Sequence, residues 1–74
     1  MGLFGRKGPD RRLLKLDNRF TTAARNEERD PAGAATTYRR VLSDLNAVSG
    51  LSSEDDAYRQ RLISILERGI KDLD

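Results

Sequence analysis

Hydrophobic residues recur along this chain at steps of three and four, the spacing that places them on one face of an α-helix. The apolar positions of the first run are Leu13, Leu16, Phe20 and Ala23. This run predicts a helix over residues 10–28. Glu27 would fall on the same face one turn further along, so we expect the helix to end around residues 26–29. Three glycines among the first eight residues, followed by Pro9, predict a flexible segment over residues 1–9.

Asp30 and Pro31 mark the clearest boundary in the chain. Proline keeps the preceding residue out of the α region but suits the first position of a helix, and aspartate is a good N-cap. The apolar positions that follow are Ala34, Tyr38, Val41, Leu45 and Val48. They predict a second helix over residues 31–48. Gly50 is the candidate for the left-handed residue that follows a helix C-terminus.

A third helix is expected to begin at Ser53, which we interpret as its N-cap. The acidic residues 54–56 follow directly, in the first turn, where the helix dipole favours negative charge. The apolar face consists of Tyr58, Leu62, Ile65, Leu66, Ile70 and Leu73. It predicts a helix over residues 54–72. Gly69 interrupts this face at a cost of about 1 kcal/mol relative to alanine, so we expect a neighbouring helix to approach closely there.

Three amphipathic helices joined by short turns have few compact arrangements, because short connections make sequential helices antiparallel. The sequence therefore predicts an all-α fold, a compact up-down-up three-helix bundle over residues 10–74, with a flexible basic N-terminal tail over residues 1–9. Only 17 of the 74 residues are Leu, Ile, Val or Phe. The core is consequently small, and we expect a stability of only a few kcal/mol.

The composition excludes most catalytic chemistry. The chain contains no Cys and no His, which rules out thiol nucleophiles, disulfides, Ser-His-Asp triads and the usual zinc sites. Tyr38 and Tyr58 are the remaining candidates for proton transfer besides the carboxylates, but their places on apolar faces indicate packing with the hydroxyl at the rim. We therefore predict that the protein is not an enzyme, has no cofactor or metal and takes no small-molecule substrate.

Charge is distributed unevenly along the chain. There are 14 Lys and Arg residues against 12 Asp and Glu, a net charge of +2. Residues 1–29 hold eight basic and four acidic side chains, whereas residues 30–74 hold six basic and eight acidic ones. The first segment could thus steer an acidic partner or an anionic surface towards itself. No stretch approaches the roughly 18 apolar residues that cross a bilayer or resembles a secretory signal, so we expect a cytoplasmic location.

The first functional hypothesis is a non-enzymatic protein–protein interaction module, an adaptor or regulator that binds another protein or forms a homo-oligomer. Its partner surface would be the exposed border of the second and third helices. The residues chosen for it are Tyr38, Arg39, Val41, Tyr58 and Ile65. Tyrosine and arginine are common among the residues that dominate binding energy at protein interfaces.

The alternative hypothesis is a peripheral binder of membranes or other anionic surfaces that uses residues 3–19. Apolar side chains would insert at the surface while cations meet anionic groups. The residues in question are Leu3, Phe4, Arg6, Lys7, Arg11, Arg12, Lys15 and Arg19. Nucleic acid is disfavoured as a partner, because the most plausible recognition helix would begin with the acidic residues 54–56, which repel phosphate.

Overall fold

The computed structural model describes residues 9–73, which form three helices: α1 (Arg11–Arg25), α2 (Pro31–Ala47) and α3 (Ser53–Leu73). The chain is an all-α three-helix bundle, as its hydrophobic pattern predicts. No strand occurs within residues 9–73. Apart from Pro9, the predicted flexible tail lies outside the described residues.

Helix α1 begins at Arg11, one residue after the predicted start, and ends at Arg25, three residues before the predicted residue 28. At its start, the carboxylate of Asp10 accepts the backbone N–H of Arg12 at 2.9 Å. At its end, Asn26 donates from its side-chain amide to the carbonyl of Thr22 at 2.9 Å. This bond supplies a partner for one of the carbonyls left free at a helix C-terminus. The chain then turns through residues 26–29.

Helix α2 begins at Pro31 as predicted, with Asp30 as its N-cap. The Asp30 carboxylate accepts the backbone N–H of Gly33 at 3.0 Å. The helix ends at Ala47, and Val48 follows in an extended conformation. Gly50 adopts the predicted left-handed conformation, with φ 74°. Because Val48 is extended, however, Gly50 serves the turn into α3 and is not the residue that terminates α2.

Helix α3 runs from Ser53 to Leu73, one residue longer at each end than the predicted range 54–72. Its N-cap is Ser52, and the prediction that Ser53 fills this position is wrong. The Ser52 hydroxyl accepts the backbone N–H of Asp55 at 3.2 Å, and its carbonyl accepts that of Asp56 at 2.8 Å. Either serine fits the sequence pattern, and the direction of the preceding turn decides which of them reaches the free N–H groups.

Helix α2 lies at the centre of the bundle and packs against both neighbours, whereas α1 and α3 meet over a smaller area. All three helices contribute to one buried cluster. Its members are Leu13, Leu16, Ala34, Tyr38, Val41, Leu45, Leu62 and Leu66. The central position of α2 explains why it contributes half of this cluster.

Gly69 lies against the aromatic ring of Tyr38. A Cβ atom on Gly69 would stand 3.3 Å from Cε2 and 3.4 Å from Cδ2 of that ring. The predicted close approach at this glycine is therefore confirmed, and the α2 side chain explains why the α3 face is interrupted there.

Within the described residues, none of the three helices has the length and apolar character required to cross a lipid bilayer.

Candidate binding groove

Two of the five residues predicted to form a partner surface are buried. Tyr38 is 1% exposed and Val41 is fully buried, so both belong to the core and neither can contact a partner. The reason is that α2 is covered on two sides, by α1 and by α3, which buries a wider face than one neighbour would. Arg39 is exposed, Ile65 is 43% exposed and Tyr58 is half-buried.

Both tyrosine hydroxyls are held by carboxylates that lie at the edge of the core. Tyr38 donates to Oε1 of Glu27 at 2.7 Å, and Tyr58 donates to Oδ2 of Asp17. Burial raises the pKa of each tyrosine to about 12, and the hydrogen bond to the carboxylate adds to this effect. The hydroxyls therefore remain protonated near neutral pH, where they act as structural donors that join α1 and its C-terminal turn to the other two helices.

A surface concavity lined mainly by charged side chains lies between α1 and α2. This groove, called the basic groove below, has a volume of about 550 Å³. It is lined by Arg12, Lys15, Leu16, Arg19, Asp44 and Val48. Leu16 is buried and Val48 is half-buried, whereas the charged side chains are exposed. The groove thus has an apolar floor and a charged rim, with three cations on the α1 side and one carboxylate on the α2 side.

Two of the three cations make internal contacts. Arg12 binds Asp10 through two nitrogens, at 3.0 and 3.1 Å, and donates to the carbonyl of Ser49 at 3.2 Å. The side-chain hydrogen bond that Arg12 donates to Asp10 lowers the pKa of the Asp10 carboxyl. Arg19 lies 3.7 Å from a carboxylate oxygen of Asp44. Within residues 9–73, Lys15 makes no ion pair, which leaves its charge available to an incoming anion.

A second groove, called the polar groove, continues along the same two helices and shares Arg19 with the first. Its volume is about 660 Å³. The other lining residues are Asn18, Thr22, Ala23, Asn26, Arg29, Asp30, Gly33, Ala34 and Thr37. Its small residues, Ala23, Gly33 and Ala34, keep the space between the helices open. No residue of α3 lines either groove, so both open on the side of the α1–α2 pair that α3 leaves uncovered.

The structure brings together part of the predicted anionic-surface set. Arg12, Lys15 and Arg19 line the basic groove, but Arg11 does not. Leu3, Phe4, Arg6 and Lys7 lie outside the described residues, so their predicted role stays a prediction. The residues predicted from the sequence include neither Asp44 of α2 nor Val48, which directly follows α2. On α1 alone, the cations at positions 12, 15 and 19 flank Leu16 at helical spacing, and this signal could have indicated a cationic rim beside an apolar floor.

Comparison of the chain with protein-family models, with curated proteins and with solved structures found no match. Within residues 9–73, no group of three or more Asp or Glu side chains is arranged to hold a metal ion. Functional inference consequently depends on the two grooves and on the charges around them.

Proposed function

We propose that this protein is a non-enzymatic interaction module that binds an acidic segment of a partner protein in the basic groove. The observation that carries the proposal is the combination of three cations and an apolar floor in one concavity between α1 and α2. Complementary charge steers association and favours the correct partner, and apolar contact at the centre of an interface supplies much of the binding energy.

The shape of the groove supports a protein partner over a lipid surface. A membrane-binding patch must project apolar side chains towards the acyl chains, as amphipathic surface helices do. Here the apolar residues Leu16 and Val48 lie below a charged rim. A protruding side chain of a partner can reach such a floor, whereas a flat layer of lipid headgroups cannot. Asp44 on the rim further weakens attraction to a uniformly anionic surface.

The test uses a synthetic peptide of about 14 residues, with leucine on one helical face and glutamate on its flanks. We expect it to bind the full chain in a fluorescence anisotropy titration. The variant Lys15→Glu should weaken binding roughly tenfold, because it replaces an attraction with a repulsion at the rim. Rising salt should also weaken binding, since exposed charges are screened within about 8 Å at physiological ionic strength.

The matched control is Arg68→Glu, which makes the same change in net charge. Arg68 is exposed on α3 and lines neither groove. This variant should leave the affinity nearly unchanged. Equal losses in the two variants would mean that net charge, rather than the groove, determines binding, and would contradict the proposal. Vesicles that contain phosphatidylserine test the alternative: binding to vesicles that depends on Lys15, without binding to the peptide, would favour the anionic-surface function.

A further inference from the structure

The basic groove and the polar groove lie along one side of the α1–α2 pair. On α1 and at its C-cap Asn26, their lining residues fall at positions 12, 15, 16, 18, 19, 22, 23 and 26, which lie along one side of the helix. On α2, the corresponding positions are 33, 34, 37 and 44, and Val48 directly follows the end of that helix. The positions on α1 extend over about 21 Å at the rise of an α-helix. We refer to both grooves together as the channel.

The channel suits a helix better than an extended peptide. Extended peptides usually bind by adding a strand to the edge of a sheet, where their backbone N–H and C=O groups find partners. The part of the chain described by the structure offers no strand, and the backbone groups along the channel are largely used within α1 and α2. A helical occupant, by contrast, satisfies its own backbone hydrogen bonds.

The recessed side chains also match a helix laid lengthwise. Leu16 and Val48 form the floor at one end, and Ala23 and Ala34 lie at the other. The small side chains at the second end allow the axis of an occupant to approach closely. A helix of about 14 residues, or four turns, would cover this length.

Charge gives the occupant a polarity along the channel. At the end formed by the start of α1, the rim carries Arg12, Lys15 and Arg19 against the carboxylate of Asp44, and Asp10 pairs with Arg12 beside the rim. At the other end, Arg29 is accompanied by Asp30. The excess of positive charge is therefore concentrated over the basic groove, and carboxylates of an occupant are favoured at that end.

We infer that the channel binds an amphipathic helix of about four turns from an acidic partner, with its apolar face on the floor and carboxylates over the basic groove. The α1–α2 pair would then carry α3 on one side and the partner helix on the other, as in a four-helix bundle. This inference rests on the proposed function and adds to it the conformation and the length of the bound segment.

The experiment compares two peptides of identical composition and charge. The first is the leucine and glutamate peptide described above, with two proline residues placed in its first turn. In the second, the same prolines occupy the centre, where they break a helix. We expect the first peptide to bind the full chain at least about tenfold more tightly and to gain helical circular dichroism on binding.

Thr22→Trp tests the length of the bound segment, because Thr22 is exposed and lines the polar groove, away from the three cations. The large side chain should obstruct that end and weaken binding of the first peptide about tenfold. Thr36→Trp is the matched control, since Thr36 is exposed on α2 and lines neither groove. It should leave the affinity unchanged.

The outcomes separate this inference from the proposed function. Equal binding of the two peptides with dependence on Lys15 would overturn the helical occupant and leave the acidic partner in place. Failure of both peptides to bind would overturn both proposals. Light scattering of the free chain tests whether a second copy of the chain occupies the channel. A dimer that Thr22→Trp dissociates and Thr36→Trp does not would identify a second copy as the occupant and would overturn the inference.

Discussion

Replacement of Gly69 by alanine tests the packing between α2 and α3 directly. In the interior of a helix, alanine is favoured over glycine by about 1 kcal/mol. The new methyl group, however, would stand 3.3 Å from Cε2 of Tyr38. This is below the separation of about 3.5–4.0 Å that is optimal for two carbon atoms, so the ring or the helix has to move by a few tenths of an ångström.

The surroundings of Tyr38 determine the magnitude of the effect. The ring is 1% exposed, its hydroxyl is bonded to Glu27 at 2.7 Å, and its centroid lies 5.4 Å from that of Phe20. A ring that is held on several sides cannot shift easily, and overpacking of a core typically lowers the free energy of unfolding by about 1–3 kcal/mol. Because the overlap is small, we take the lower end of that range. Gly69→Ala should therefore leave the free energy of unfolding nearly unchanged, because the gain in helix propensity and the cost of overpacking are both about 1 kcal/mol.

The assay is urea denaturation followed by circular dichroism, with Ser64→Ala as the control. Ser64 is exposed on α3, so its replacement should stabilise the protein by roughly half a kcal/mol through helix propensity alone. The second background is Tyr38→Met, in which a flexible side chain can move away from the new methyl group. In that background, Gly69→Ala should raise the free energy of unfolding by about 1 kcal/mol, which is the full gain in helix propensity. A gain of that size in both backgrounds would refute the proposed contact between Gly69 and the Tyr38 ring.

Two further outcomes follow from hydrogen bonds and burial. Ser52→Ala should lower the free energy of unfolding by about 1 kcal/mol because it removes the N-cap of α3. Ser53→Ala should change it by no more than a few tenths of a kcal/mol. A larger loss for Ser53→Ala than for Ser52→Ala in thermal denaturation would contradict the assignment of Ser52 as the N-cap. Burial raises the pKa of Tyr38 and Tyr58 from 10.0 to about 12. Because the pKa of each tyrosine is raised in the folded state, its contribution to stability is fully present below pH 10 and is lost as the pH rises towards 12. In urea titrations between pH 8 and pH 11.5, Tyr38→Phe should show a smaller decline than the parent chain, and identical slopes would contradict this account.

The proposed function and the helical occupant are independent of these stability measurements. Lys15→Glu and Thr22→Trp change exposed residues, and surface substitutions usually alter stability by no more than about 0.5 kcal/mol. Circular dichroism of both variants should therefore match that of the parent chain. Loss of peptide binding can then be attributed to the channel rather than to unfolding.

The sequence by itself determined the number, the type and most of the boundaries of the helices, because these depend on local patterns. The Asp30–Pro31 pair and Gly50 constrain the backbone regardless of what packs around them. The end of α1 was harder to place, since Asn26 and Glu27 fit a last helical turn as readily as the turn that forms. Glu27 leaves the helix and instead accepts the hydroxyl of Tyr38 from α2, a contact that no local pattern specifies.

Only the tertiary structure decided which surface is available for binding. An apolar stripe shows which face of a helix is buried, but the width of that burial depends on how many neighbours cover it. Helix α2 has two neighbours, which is why Tyr38 and Val41 are core residues and not interface residues. The basic groove likewise requires Asp44 of α2 and the following Val48 beside the cations of α1. Residues about 30 positions apart in sequence come together there because antiparallel packing sets their register, which the spacing within one helix does not encode.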